Sequence, residues 1–293
     1  MDARPLGATG ITVPVLGLGA GPLGASTLSE GEAGALLNGA LDLGVTLIDT
    51  ARSYGLSEER IGRHLAKRRA EFVLSTKGGY GVDGVADWTA EAITLGINRA
   101  LRTLRTDRID IFHLHSCPRA TLEDERILDA LESALTEGKI RVAAYSGEGE
   151  ALGWAIGCGQ FGVVETSVNL VDQRSLVQVL PMAAEKGLGV LAKRALANAV
   201  WRFTVSPDPE DLRTYWERWH EIRLDPEPMD WAPVALRFSA YSPGVSCALV
   251  GCGRLEHLRE NVAAVERGPL PDAEAKVFHD LFDAKDQGWE GVV

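Results

Sequence analysis

Residues 44–58 read Gly-Val-Thr-Leu-Ile-Asp-Thr-Ala-Arg-Ser-Tyr-Gly-Leu-Ser-Glu. The apolar run 46–48 reads as a short strand ending on the carboxylate of Asp49. A loop carrying Tyr54 follows, and helical spacing of apolar residues runs over 58–66. The same unit recurs on both sides. Upstream, a strand at 15–19 precedes a helix over 32–43. Downstream, strands at 72–75 and 109–114 alternate with helices over 89–104 and 122–137, the last stopped by Gly138. Strands at 141–145, 163–166 and 188–192 come next, with helices near 148–158 and 174–186. A helix over 231–240, an eighth strand at 247–250 and a helix over 255–265 complete the series.

Eight strand–helix units in about 250 residues match the size of a closed (β/α)8 TIM barrel. The predicted class is therefore α/β, with residues 1–293 forming one domain. An open doubly wound sheet alternates in the same way and stands as the competing reading. Ahead of the first barrel strand, residues 4–7 and 11–13 flank Ala8-Thr9-Gly10. That is the pattern of a small hairpin placed to plug the barrel's N-terminal end. The stretch 196–230 departs from regular length, with Pro207, Pro209, Pro226 and Pro228 set among Trp201, Trp216 and Trp219. It reads both as a long C-terminal-face loop covering substrate and as a helix over 209–222 packing its tryptophans on the barrel. A last amphipathic helix is expected near 272–282.

Charge narrows the function classes. The chain has 41 acidic and 30 basic residues, a net charge of −11 and 45% hydrophobic residues. That balance opposes nucleic acid or an anionic membrane as the main partner. No apolar run of about 18 residues is present to span a bilayer. The opening MDARPLGATG lacks the charged-then-apolar order of a signal peptide. Cys117, Cys158, Cys247 and Cys252 form no CxxC and read as free thiols of a reducing compartment. A cytoplasmic protein is expected, and any anionic ligand must meet a local cluster of donors. Oligomeric state is not legible.

The run Gly19-Ala20-Gly21-Pro22-Leu23-Gly24 spells GxGxxG after a strand, as in a dinucleotide-binding fingerprint. In that motif the helix begins within the glycines. Here Ser29 and Glu32 form a capping-box signature five residues beyond them, so the helix starts too late to face a pyrophosphate.

Catalytic groups of a barrel sit at the C-terminal ends of its strands. Those ends carry Asp49, Lys77, His115, Ser146, Glu165 and Lys193, with Tyr54 just beyond the second strand. His113 is expected inside the barrel below His115, and Phe112 on the opposite face. A phenol titrates near pH 10 and is a sluggish acid at neutrality. A nearby ammonium lowers its pKa, a carboxylate keeps that ammonium charged, and an imidazole holds the oxygen that accepts the proton. Such a set suits protonation of an alkoxide as hydride reaches a carbonyl carbon. No hydrolytic triad or metal-ligand spacing is evident.

Residues 44–58 closely resemble the signature of the aldo-keto reductase superfamily. Ser75-Thr76-Lys77 is similar to its lysine strand and residues 109–115 to its histidine strand. Gly138-Lys139-Ile140-Arg141 and Leu258-Arg259-Glu260-Asn261 also match, so the resemblance spans about residues 4–265. It implies an NAD(P)H-dependent carbonyl reductase acting on an aldehyde, ketone or sugar. Its implied catalytic tetrad is Asp49, Tyr54 as general acid, Lys77 as the partner lowering its pKa, and His115 orienting substrate. It also implies cofactor contacts at Gly19, Ala20 and Asp49, at Ser146 and Glu165, and at Lys193, Arg194, Leu196 and Asn198. Further contacts are implied at Gly251, Gly253, Arg254, His257 and Asn261.

Three places depart from the family pattern. Ser146 is followed by Gly147 where the family has Asn, and Glu165 stands where it has a Gln that holds the nicotinamide carboxamide. Lys193-Arg194 occupies the place of a flat residue against the nicotinamide, so a lysine stem or guanidinium is expected to cover the ring. Gly251 takes the place of a lysine for the 2′-phosphate, leaving Arg254 and His257 as candidates. NADP(H) is the favoured expectation and NAD(H) the alternative. The altered carboxamide residues also admit a second function, a nucleotide-binding regulatory or redox-sensing subunit with little turnover.

Overall fold

The computed structural model describes residues 1–224 and 229–292. Pro226 and Pro228 of the long loop lie outside the described residues. The eight predicted strands form one closed parallel barrel. With β1 (Ala3–Pro5) and β2 (Thr12–Pro14) as the hairpin, the barrel comprises β3 (Leu16–Gly19), β4 (Leu47–Asp49), β5 (Val73–Gly78) and β6 (Ile109–His115). It continues through β7 (Ile140–Ser146), β8 (Val163–Ser167), β9 (Gly189–Lys193) and β10 (Cys247–Gly251), and β10 pairs with β3 to close the ring. Closure excludes the open doubly wound sheet.

Strand alternation sets one face of each strand into the barrel lumen. Leu47, Ile111, Ala144, Val163, Leu191 and Leu249 pack there in one apolar cluster with Leu6, Ile11 and Val13. The hairpin thus plugs the N-terminal end with apolar side chains, as its sequence implied. Further along the same strand faces, the side chains change to Asp49, Lys77, His113, Ser146, Glu165 and Lys193. An apolar floor therefore supports a polar layer, and burial keeps water from entering below.

The predicted helices are present, with two local breaks. The expected helix over 122–137 divides into Arg119–Leu122 and Glu125–Thr136, where Asp124 caps the second part by accepting from the Arg126 N–H. The expected helix over 174–186 divides into Arg174–Gln178 and Leu180–Glu185, because Pro181 starts a new first turn. Ser29 and Glu32 form a complete capping box before the helix Glu30–Asp42. The glycine run is a 3-10 turn, Gly21–Gly24, rather than the opening of that helix.

The long segment after β9 contains the helix Glu210–Ile222. Tyr215, Trp219 and Ile222 are buried in a second apolar cluster with Val200, Trp231 and Phe278. The tryptophan-packing reading therefore holds for Trp219. Trp216 is partly buried there and donates its indole N–H to the Phe203 carbonyl at 3.0 Å. Trp201 borders the cavity described next.

Candidate active site

A cavity of about 670 Å³ opens at the C-terminal end of the barrel. Its floor is made by Asp49, Tyr54, His115, Ser146 and Glu165. The strand register explains the convergence. Asp49 lies opposite Ser75, Lys77 opposite His113, His115 opposite Ser146, and Ser146 opposite Glu165. Neighbouring strands thus deliver their polar ends at one level.

Tyr54 is held by the loop rather than by a strand. The Gly24 segment packs directly beneath it, and a Cβ on Gly24 would lie 2.0 Å from the Tyr54 carbonyl oxygen. The Leu56 N–H donates to the Gly24 carbonyl at 3.2 Å. Thr50 donates its hydroxyl to Ser57, which donates to the Ala20 carbonyl, both at 2.8 Å. The buried Arg60 guanidinium donates to the carbonyls of Leu23, Ala25 and Leu28 at 2.6, 2.8 and 2.5 Å. The glycine run that mimicked a dinucleotide fingerprint therefore works as the bed under the tyrosine loop.

Lys77 is fully buried beneath the floor. Its ammonium donates to Asp49 and, at 3.2 Å, to the Thr50 carbonyl, and its Nζ also lies 3.2 Å from Glu165 Oε2. Nζ sits 5.6 Å from the centre of the Tyr54 ring. Ser75 donates to Asp49 at 2.7 Å and shares a 3.0 Å hydrogen bond with His113 Nε2. Glu165 is the least satisfied member. Ser146 reaches its Oε1 only at 3.4 Å, and among the described residues its buried Oε2 has only the Lys77 ammonium at 3.2 Å and His113 Nε2 at 3.9 Å nearby. Ligand-type atoms of Asp49, His113 and Glu165 fall within 4.8 Å of one another. The Lys77 ammonium already contacts both carboxylates, so it supplies the cation of this cluster.

One lysine between two buried carboxylates alters the expected electrostatics. Burial and the Glu165 charge push the Asp49 carboxyl up, against the pull of Lys77. Burial also acts to raise Glu165, yet Lys77 and His113 hold it below the ordinary carboxylate range. Lys77 pulls the Tyr54 phenol down, as the sequence implied, but burial and the charges of Asp49 and Glu165 outweigh it. The phenol ends at about 12. Lys77 thus acts on the phenol in the expected direction, but burial first, and then the charges of Asp49 and Glu165, leave it raised. Burial and Lys77 drive His115 down to about 3, so its imidazole is neutral at physiological pH.

His115 has a partner that no motif in the sequence marked. The Tyr80 hydroxyl lies 2.5 Å from His115 Nδ1 and donates to Ser53 Oγ at 2.9 Å. Tyr80 is braced edge-on by Trp88, with ring centres 5.5 Å apart. Gly79 makes room for that indole, since its φ is +118° and a Cβ there would lie 2.2 Å from Trp88. Only glycine fits both conditions. The i, i+3 spacing from Lys77 offered no signal for this contact, which exists because the loop folds back over β6.

The remaining predicted contacts divide. Gly19, Lys193, Arg194, Leu196 and Asn198 border the cavity, as do Gly251, Gly253, His257 and Asn261. Ala20 does not; its side chain packs into the apolar core outside the barrel lumen. Arg254 also stays outside, because its extended backbone at the helix N-cap sends the guanidinium to solvent, 3.9 Å from Glu256. Lys193 lies 3.2 Å from the buried Glu148, and Arg194 lies 3.7 Å from Asp211 while donating to the Val292 carbonyl. Lys193, Arg194 and Arg254 therefore each have a carboxylate within 4 Å. Glu148 was not foreseen; it accepts from Thr166 at 2.6 Å and from the Ser167 N–H at 2.8 Å.

Electropositive character at the rim comes instead from backbone. The helix Leu255–Val265 starts beside Gly251 and Gly253 without a side-chain cap, leaving first-turn N–H groups toward the rim. That helix terminus and the incompletely satisfied Glu165 at the floor fit a ligand with phosphate at one end and an amide or cation at the other.

The aldo/keto reductase family profile matches residues 15–281. The chain belongs to the aldo/keto reductase family. As an aldo/keto reductase it is similar to L-galactose dehydrogenase of Arabidopsis thaliana, at 28% identity over 90% of this chain and 88% of that protein. It is 30% identical to D-threo-aldose 1-dehydrogenase of a Pseudomonas species, over 88% of this chain and 92% of that one. The holo form of an aldo-keto reductase from Bacillus halodurans superposes with a TM-score of 0.81 at 26% identity, covering 96% of both chains. The chain is thus an aldo/keto reductase-type oxidoreductase, a class that uses nicotinamide cofactors. Among its described residues no helix is long and apolar enough to cross a membrane.

Proposed function

We propose that the protein interconverts an alcohol and a carbonyl group on a small, sugar-like or aldehyde substrate, with Tyr54 moving the proton. The observation that carries this reading is the convergence of Tyr54, Asp49 and His115 on one cavity floor, with Lys77 buried against them. A bound nicotinamide dinucleotide would supply or accept the hydride. Tyr54 gives its proton to the substrate oxygen in reduction and takes it in oxidation. The neutral His115 holds that oxygen in place, and the Asp49–Lys77 pair fixes the charge behind the phenol. Trp201, which borders the cavity, offers an aromatic face for a sugar or an apolar chain.

The sequence favoured NADP(H), but local charge supports NAD(H). Arg254 shares its position with Glu256, and Glu260 borders the cavity near the helix terminus. Two carboxylates there oppose a 2′-phosphate and suit a ribose hydroxyl. Titration with NADH and NADPH tests this, with tighter NADH binding expected.

Tyr54→Phe tests the proton-transfer role. Turnover at 340 nm should fall about a thousandfold while dinucleotide binding persists. Retained turnover would reject the assignment. Steady multiple turnover on aldoses and aldehydes also separates an enzyme from a nucleotide-binding regulatory subunit, which would complete one cycle or fewer.

A further inference from the structure

The polar layer below the cavity has an unbalanced charge. Asp49 on β4 and Glu165 on β8 are both almost fully buried, and one ammonium, Lys77 on β5, serves both. His113 and His115 on β6 are driven toward the neutral form by burial. Lys193 on β9 is committed to Glu148. With both carboxylates ionised, the floor therefore carries one net negative charge. That surplus is shared by the Asp49–Glu165 pair; Glu165 borders the cavity, and among the described residues its Oε2 has only the shared Lys77 ammonium, at 3.2 Å, as a close cation.

Hydride transfer requires the nicotinamide ring to meet the carbon whose oxygen Tyr54 serves. Tyr54 and Glu165 line the same cavity floor, so a ring placed to serve Tyr54 would lie near Glu165. Its oxidised form carries a positive charge and its reduced form is neutral. A buried carboxylate without a full partner distinguishes the two far better than a solvated one would. We propose that Glu165 makes this site bind the oxidised cofactor in preference to the reduced one, so that the resting protein is loaded for oxidation of a sugar hydroxyl or another alcohol. In that direction the alcohol C–H bond breaks, its hydride passes to the oxidised ring, and the hydroxyl proton passes to Tyr54 and on to solvent. The products are a carbonyl compound, the reduced cofactor and one proton. The inference rests on the reading of the cavity as a dinucleotide site.

The test is the ratio of dissociation constants for NAD+ and NADH, read by quenching of intrinsic tryptophan fluorescence at pH 8.5. The wild-type chain is compared with Glu165→Gln, which keeps the side-chain shape and removes the charge. The substitution should raise Kd(NAD+)/Kd(NADH) at least tenfold, equivalent to about 1.4 kcal/mol. A ratio unchanged within twofold, with both forms bound, overturns the inference and leaves the dinucleotide site standing. If neither form binds the wild-type chain, the dinucleotide reading fails and the inference falls with it. A second measurement needs no variant. Calorimetry at pH 7 in buffers of different ionisation enthalpy should show NAD+ binding expelling more protons than NADH binding, as the cationic ring displaces a proton from the Asp49–Glu165 pair. Equal release by both forms also overturns the inference.

Discussion

Replacing Lys77 with methionine isolates the electrostatics of the floor. The ammonium lies between Asp49 and Glu165, whose side chains are only 4% and 3% exposed. Methionine fills much of the same space, so packing changes little and the loss is mainly of charge. Glu165, now held below its ordinary range by Lys77, would then be raised by burial alone. Breaking a buried pair by removing one partner typically costs about 3–5 kcal/mol, and a deficit near 4 kcal/mol is expected where the carboxylates are ionised. A carboxyl raised in the folded state contributes full stability below its unfolded pKa and loses it as pH climbs through the folded value. The deficit of Lys77→Met relative to wild type should therefore be about 4 kcal/mol at pH 8 and shrink to about 1 kcal/mol at pH 5. Urea denaturation followed by circular dichroism at the two pH values measures it. Adding Glu165→Gln to Lys77→Met should recover part of the pH 8 deficit, because one of the two carboxylates left without the ammonium is gone. An equal deficit at both pH values, with no recovery in the double variant, would refute the argument.

Three other perturbations probe neighbouring parts of the site. Tyr80→Phe frees His115 Nδ1 and leaves the imidazole to exchange tautomers; turnover should drop roughly three- to tenfold, the value of one hydrogen bond. The 15N chemical shifts of His115 should change with it, a signature that loss of packing alone would not produce. Gly24→Ala drives a methyl into the Tyr54 carbonyl, so kcat should fall well over tenfold while thermal melting moves modestly. Arg60→Met leaves the carbonyls of Leu23, Ala25 and Leu28 without their donor. Thermal unfolding should register a loss of about 3 kcal/mol, accompanied by weaker dinucleotide binding as the loop beneath Tyr54 loosens.

Local chemistry explains why the barrel was readable. Alternating strands and helices are encoded in apolar periodicity, and each strand end carried a polar residue that marks the C-terminal face. The hairpin plug was equally local, since a glycine turn joins two short apolar runs. Two helices broke where a single-period reading ran through Asp124 and Pro181, because capping and proline geometry act over one turn while the periodic signal averages over several.

The site was legible as a set of residue types and illegible as a network. Asp49, Tyr54, Lys77 and His115 are visible because their places along strands and loops are fixed by the chain itself. Glu165 was visible as a departure, but its closeness to Lys77 depends on β5 and β8 facing each other across the closed barrel. The same holds for Glu148 against Lys193, and for Tyr80 over His115. Sequence by itself therefore determined the fold, the family and the candidate reacting groups. Only the tertiary structure decided that Arg254 leaves the cavity, that the rim bases are paired, and that one lysine must serve two carboxylates. Those facts depend on distances across the barrel in a medium that screens charge poorly, and no spacing along the chain encodes them.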